Sequence, residues 1–286
     1  MNPVLVIDSN YIAHRVFFKM GNLSYNEKMT GIIFGFLRSV LDLHERFKPS
    51  EIAFCWDSTK SYRKVLYPDY KGNRGSVDRT EEEIQDRNVA YYQFDELQED
   101  ILPRLGFVNI FSQNGIEADD LIAQIVIDHF VDKRHIIVSS DNDLFQLLDV
   151  ADMFFVDKKA LFTKADFENL WGISPADWLE VKAMAGDTSD NVPGLKGVGH
   201  KTAIKYLNGS QRSMKMVQLV EENTALIEMN RQLMRVPHPK TKPIIIRESI
   251  FNIVEFEKVC LENGLQFFLK KEQYAKWKGV LNVTDS

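Results

Sequence analysis

Short apolar runs that end in an acid alternate, in the first half of the chain, with longer stretches whose apolar residues recur every three or four positions. Residues 4–8 (V-L-V-I-D) form one such run, and 51–57 (E-I-A-F-C-W-D) repeat it. Between them, 30–47 place Ile33, Phe36, Leu37, Val40 and Leu41 on one helical stripe, with Arg38, Glu45 and Arg46 elsewhere. Strand, helix, strand in this order predicts a parallel sheet. Residues 107–111 make a third strand, and a helix from Ala118 carries Leu121, Ile122, Ile125, Val126 and Phe130. A strand over 135–140, a short helix through Leu148 and a strand over 153–156 follow. The expected fold is α/β, a central and mostly parallel sheet flanked by helices.

The pattern changes twice. Residues 71–76 (K-G-N-R-G-S) read as a turn, 80–87 are charged, and Tyr91, Tyr92 and Phe94 follow, which predicts an excursion that closes into a helix. Beyond Val156 the chain reads as helical, with Ser174 as an N-cap and Pro175 in the first helical position. A proline-broken stretch over 236–243, a short strand over 244–247 and two closing helices complete the chain. The organisation expected is an α/β domain over 1–168 with its excursion near 70–95, a helical region over 169–265, and a tail over 266–286.

Composition adds few constraints. The 286 residues allow one large or two medium domains with a sizeable core. The N-terminus lacks a basic leader and no apolar run approaches the ~20 residues of a membrane span, so no membrane partner and a cytoplasmic location are expected. Cys55 and Cys260 show no metal-ligand spacing and read as free buried thiols. A net charge of -6 argues against a polyanionic partner, but the cations are clustered. No acid occurs from Asn191 to Val220, where Lys196, Lys201, Lys205, Arg212 and Lys215 fall. From Ser58 to Val77, Asp69 stands alone against Lys60, Arg63, Lys64, Lys71 and Arg74.

The acids are clustered too. Asp8, Asp57, Asp141 and Asp143 lie at or just beyond strand ends, where open parallel sheets bind ligands. Glu117, Asp119 and Asp120 open the helix from Ala118, and Asp187 and Asp190 precede a glycine-rich turn. Singly, each group has a plainer explanation, as partners of a helix dipole or as caps. Together they describe an all-oxygen site suited to Mg2+ or Mn2+, with enough carboxylates for two ions, which can activate water and stabilise a leaving oxygen in phosphoryl displacement. Lys71 and Arg74 sit where they could reach a scissile phosphate, and Tyr70 could stack on a base or simply pack. The histidines show no ligand pattern. The turn P-G-L-K-G-V-G-H-K-T-A (193–203) could join two core helices, but its glycines and acid-free surroundings favour a helix-hairpin-helix motif. In such a motif backbone N–H groups hold a DNA phosphate without base specificity, and turn carbonyls may hold a monovalent cation.

V-I-D at Asp8, F-C-W-D at Asp57, Y-K-G-N-R at 70–74, E-A-D-D at 117–120, S-S-D-N-D-L at 139–144 and G-D-T-S-D-N-V-P-G-L-K-G-V-G-H-K-T-A at 186–203 together resemble the flap endonuclease or 5′-to-3′ exonuclease family. The likeness is greatest to the stand-alone phage enzymes and to the 5′-nuclease domain of bacterial DNA polymerase I, and runs from about Val4 to Leu207. It implies a two-metal phosphodiesterase (two Mg2+ or Mn2+) that removes 5′ flaps and RNA primers and degrades from 5′ ends. It also implies a helical arch over the site and a helix-three-turn-helix motif near 186–208 that binds duplex and a potassium ion. By motif, Asp8, Asp57, Glu117, Asp119, Asp120, Asp141, Asp143, Asp187 and Asp190 would serve the metals, with Asp141, Asp143, Lys71 and Arg74 in catalysis. Tyr70, Lys71, Arg74, Lys196, Gly197, Gly199, Lys201, Thr202 and Lys205 would contact DNA. The expected partners are DNA with 5′ flaps, nicks or 5′ ends, RNA–DNA primers and a replication polymerase, with the protein itself a monomer. A ribonuclease with the same acidic core and a catalytically silent junction-binding protein are the alternatives.

Overall fold

A computed structural model describes residues 2–20, 23–74, 80–129 and 133–281. Phe130 of the expected helix, and Val77 and Asp78 of the expected excursion, lie outside the described residues. The chain begins with β1 (Val4–Asp8), α1 (Ser9–Met20), a small hairpin of β2 (Ser24–Tyr25) and β3 (Lys28–Met29), α2 (Gly31–Phe47) and β4 (Glu51–Cys55). A short α3 (Arg63–Leu66) leads to α4 (Glu81–Glu96), which continues through a wider π-helical turn into α5 (Leu102–Leu105). Then come β5 (Ile110–Phe111), α6 (Ala118–His129), β6 (His135–Val138), β7 (Asp152–Phe155) and β8 (Ala160–Phe162). The remainder is helical: α7 (Lys164–Trp171), α8 (Trp178–Ala185), α9 (His200–Leu207), α10 (Met214–Glu222), α11 (Thr224–Met234), α12 (Ile253–Glu262) and α13 (Lys271–Val280).

Six strands form one sheet in the order β5-β4-β1-β6-β7-β8, all parallel except β8. β1 is central, paired Val4 to Glu51 through Asp8 to Cys55 on one side and Val4 to His135 on the other. It is buried along its whole length, which is why its sequence is an unbroken apolar run rather than an alternation. Successive side chains still go to opposite faces. Leu5, Ile7, Phe54 and Val138 join the core built with α1, α2, α4, α12 and α13, while Val4, Val6, Ala53 and Ile137 join the core built with α6, α8 and α9.

Several boundaries differ from expectation, each for a physical reason. The third strand is only Ile110–Phe111, although the carbonyl of Asn109 still accepts from the backbone N–H of Phe54 (2.8 Å). No strand forms over 244–247, because side chains satisfy its backbone. Asn109 both accepts from and donates to the backbone of Arg247 (2.8 Å each), and the Asp128 carboxylate accepts from the Ile244 N–H (3.3 Å). Within the stretch read as a tail, Phe268 and Trp277 are fully buried and α13 packs on α2; residues 282–286 lie outside the described residues. α12 likewise returns to α5, where Arg104 pairs with Glu255 (3.2 Å) and Glu262 (2.7 Å). The acids opening α4 have a local cause: Thr80 and Glu83 form a reciprocal capping box, and Glu81, Glu82 and Glu83 occupy the first turn, where the helix dipole favours anions.

Candidate active site

In the sheet the chain moves outward from β1 through β4 to β5 and then crosses to β6 on the other side of β1. Ligands of open α/β sheets bind at such a reversal, beyond the carboxyl ends of the strands. Asp8 closes β1 and Asp141 follows β6 by three residues, so both carboxylates flank the reversal. Asp8 Oδ1 accepts from the Tyr11 N–H and its Oδ2 from the Ser139 hydroxyl, both at 2.9 Å. Ser139 Oγ also accepts from the Asp141 N–H (3.1 Å), and Asp141 Oδ1 from the Asp143 N–H (2.8 Å). Asp57 is fixed from neighbouring elements, its N–H donating to Asn10 Oδ1 and its Oδ1 accepting from the Ala118 N–H, both at 2.8 Å. That last bond places α6 so that Asp119, in its first turn, joins the group.

Asp8, Asp57, Asp119 and Asp141 line one open cavity of about 450 Å³, with Lys71, Arg74, Lys182 and Asp187 also in its wall. Burial first, and then the neighbouring anions, raise Asp8 and Asp119. Burial, reinforced by Asp57 and Asp141, pushes Asp8 up to about 7. Burial and then Asp141 and Asp8 raise Asp119 well above the usual carboxylate range. Among the described residues no three such side chains close into a ready-made ion cage. The donor set nonetheless fits a hard divalent cation whose remaining positions are filled by water, since four carboxylates crowded this way are stabilised most by positive charge between them.

The other expected ligands meet internal cations. Glu117 accepts from Lys71 Nζ (2.7 Å), from the Tyr70 hydroxyl (3.1 Å) and from Ser61 (2.7 Å). Burial opposes its ionisation, but Lys71 and Arg63 outweigh it and hold Glu117 at about 2. Asp190 pairs with Arg74 (2.5 Å) and lies 3.8 Å from Lys71. Asp187 and Asp143 share the buried ammonium of Lys182, which is 2.8 Å from Asp143 and in contact with Asp187. Burial, partly offset by Lys182, leaves Asp143 at about 6, whereas for Asp187 burial is overcome by Lys182 and Ser189 and the group stays at about 2. Asp187 and Asp190 therefore diverge: a bridge between Asp187 and Val192 closes their turn, one acid faces Lys182 and the other the 70–74 segment.

Two expected site residues lie apart from the cavity. Asp120 is fully buried outside its wall, held by both arms of the Arg63 guanidinium (2.6 and 2.8 Å) and by the His238 N–H (2.7 Å). Arg63 also donates to the carbonyls of Leu233 (2.5 Å) and Arg235 (3.1 Å), tying the start of α3 to the end of α11. Tyr70 is 4% exposed and packs with Val192, Leu233 and Met234, so its ring is not open to a base. Its hydroxyl joins Glu117 to Asp190 (3.2 Å) instead. His14 and His200 do reach the cavity wall, one edge-on to Phe94 and the other against Trp178, and burial lowers both. Lys182 escaped the sequence reading, although a lone lysine among the apolar V-K-A-M-A, five residues before an acid, was its signal.

The glycine-rich turn is docked to the site. Gly186 has φ 72°, and a Cβ there would lie 2.4 Å from the Gly194 nitrogen, while one on Gly194 would lie 1.9 Å from the Ala185 carbonyl oxygen. Only glycine permits this crossing of backbones. Asn230 secures it from α11 by donating to the carbonyls of Ala183 (2.9 Å) and Pro193 (2.7 Å). The Lys71 N–H donates to the Asp190 carbonyl (2.8 Å), and Asn73 donates to the Thr188 carbonyl (2.9 Å). Lys196, Gly197, Gly199, Lys201 and Lys205 are exposed around the start of α9, with Thr202 half-buried beside them.

A carboxylate-lined cavity at the reversal of a parallel sheet, bordered by lysine and arginine, defines an α/β protein with an acidic site fitted to a hard cation. Residues 3–172 match the family model described as 5′-3′ exonuclease, N-terminal resolvase-like domain, and 173–238 match its C-terminal SAM fold. The chain belongs to the 5′-3′ exonuclease family. It is 33% identical over 243 residues to a 5′-3′ exonuclease of Bacillus subtilis, covering 81% of this chain and 77% of that protein. Against DNA polymerase I of Mycobacterium tuberculosis it is 30% identical over 251 residues, 80% of this chain but only 26% of the polymerase. Its fold matches a bacteriophage T5 5′-exonuclease with bound zinc (TM-score 0.69, 21% identity, covering 82% of this chain and 89% of that one). It also matches a T5 flap endonuclease with DNA and metal ions (TM-score 0.71, 22% identity, 82% and 89%).

Proposed function

We propose that the protein hydrolyses phosphodiesters in DNA bearing 5′ flaps, nicks or free 5′ ends, including RNA–DNA primers, leaving a 5′-phosphate and a 3′-hydroxyl. The single observation that carries this is the group of four carboxylates, Asp8, Asp57, Asp119 and Asp141, around one cavity whose rim holds Lys71 and Arg74. Two divalent ions, Mg2+ or Mn2+, would supply water activation and neutralisation of the leaving oxygen. Asp8, Asp57, Asp119 and Asp141 would hold one, with Glu117, Asp143, Asp187 and Asp190 available to a second. Lys71 and Arg74 would exchange their carboxylate partners for the scissile phosphate and offset its developing charge.

The turn after α8 and the start of α9 would act as a helix-hairpin-helix grip, with Lys196, Lys201 and Lys205 near backbone phosphates and a potassium ion held by turn carbonyls. Because the turn is hydrogen-bonded to 69–74, grip and cut would keep a set spacing along the duplex. Among the described residues no helix is long and apolar enough to cross a membrane. Action as a monomer, in the cytoplasm and beside a replication polymerase, completes the reading. The test is hydrolysis of end-labelled flap, nicked and single-stranded DNA with and without Mg2+. Asp141→Asn should abolish cleavage while DNA binding persists; undiminished turnover would overturn the role of the carboxylate group.

A further inference from the structure

Beside the acidic cavity lies a second cleft of about 380 Å³ with a different character. Tyr11, Ser140 and Asn142 belong to the walls of both, so the two are contiguous. The far wall of the second is aromatic. Phe155 on β7 and Phe162 on β8 have ring centroids 5.5 Å apart and rest on Phe145, at 6.4 and 5.2 Å. Both rings are half-buried, as is Trp171 at the end of α7, and Leu170 beside it is 65% exposed. The Trp171 indole N–H is buried without a hydrogen-bond partner. At the rim, the Lys158 ammonium stands 5.1 Å from the Phe155 ring centroid.

We propose that this aromatic cleft receives the nucleobase of a nucleotide that flanks the scissile phosphate. The inference deepens the function proposed above and rests on it. A phosphate held at the carboxylates and the Lys71–Arg74 rim leaves the adjacent nucleoside within reach of the shared Tyr11–Ser140–Asn142 wall. Every base has an apolar face that stacks on phenylalanine or tryptophan whatever its identity. The ribose-phosphate would stay outside, on the side of Lys158. Such a cleft selects for a base withdrawn from the helix stack next to the cut, and so favours ends, flaps and nicks, where unstacking costs least.

The test is single-turnover cleavage in Mg2+ of flapped and nicked duplexes carrying one abasic nucleotide, moved stepwise across the cut site. For the wild-type protein, roughly a tenfold fall in kcat/KM is expected at one position directly beside the scissile phosphate and little elsewhere, the size of one lost base–aromatic stack. Phe162→Leu, which keeps apolar volume, should lower cleavage of intact DNA and erase the abasic penalty. Leu170→Gln, at an exposed position, should do the same in part without threatening the fold. A flat abasic profile would overturn the proposal, as would a full abasic penalty in the phenylalanine variant. Failure of the wild-type protein to cut intact flapped DNA would instead remove the underlying substrate assignment, which separates the two failures.

Discussion

Asp119 and Asp120 are neighbours in the chain, in the first turn of one helix, and occupy opposite electrostatic worlds. Asp119 faces Asp8, Asp57 and Asp141, and burial together with those anions raises it far above an ordinary carboxylate. Asp120 is gripped by Arg63 and by a backbone N–H, with every oxygen occupied. The same contrast divides the whole acidic set. One half is crowded and has no ion pair among the described residues; the other half, Glu117, Asp190, Asp143 and Asp187, already holds Lys71, Arg74 or Lys182. Clustering of acids therefore does not tell which of them already holds an internal cation; the tertiary contacts do.

The largest expected effect breaks the compensated side. Asp120→Ala strands the buried Arg63 guanidinium and should cost about 3–5 kcal/mol of stability, read from urea denaturation of metal-free protein. A loss below about 1 kcal/mol would mean that Asp120 is not the structural acid it looks to be. Next, Lys71→Ala should lower the cleavage rate on a flapped duplex by roughly 10²–10³-fold, in line with losing one charge-stabilising contact in the transition state, while DNA affinity falls far less. Equal losses in both would make Lys71 a phosphate anchor with no special transition-state role.

The smallest effect concerns the uncompensated side and has a sign of its own. Asp8 and Asp119 bind protons more tightly folded than unfolded, so their contribution to the folding stability of the metal-free protein should fall as pH rises from about 4 to about 7. Glu117 and Asp187, held at about 2, act in the opposite direction and only below that window, losing their contribution as pH falls through about 2. Saturating Mg2+ should flatten the decline above pH 4, because an ion in the cavity removes the advantage of protonation. Thermal melts across pH with EDTA or Mg2+ measure this directly, and a metal-free profile that rises toward pH 7 would remove the distinction between the two sets.

Much of this arrangement was legible along the chain. Unbroken apolar runs ending in acids gave β1, β4 and β6 their assignments, because a strand buried on both faces leaves no other pattern, and it placed Asp8, Asp57 and Asp141 together at one sheet edge. The glycines at 186 and 194 announced a close backbone crossing, since no side chain fits there. What sequence spacing left open was the partner of each acid. Periodicity reports which face of a helix a residue shares, but the cation opposite comes from elsewhere: Arg63 reaches Asp120 across 57 positions, and Lys71 reaches Glu117 across 46. The same limit explains the missing strand at 244–247 and the core helix in place of a tail, where side chains and packing surfaces remote in sequence settled the outcome. The chain alone determined the chemistry brought to the sheet edge, because residue type and local pattern suffice for that. Only the tertiary structure decided which carboxylates pair with an internal cation, because a buried charge is settled by whatever the fold brings within about 4 Å of it.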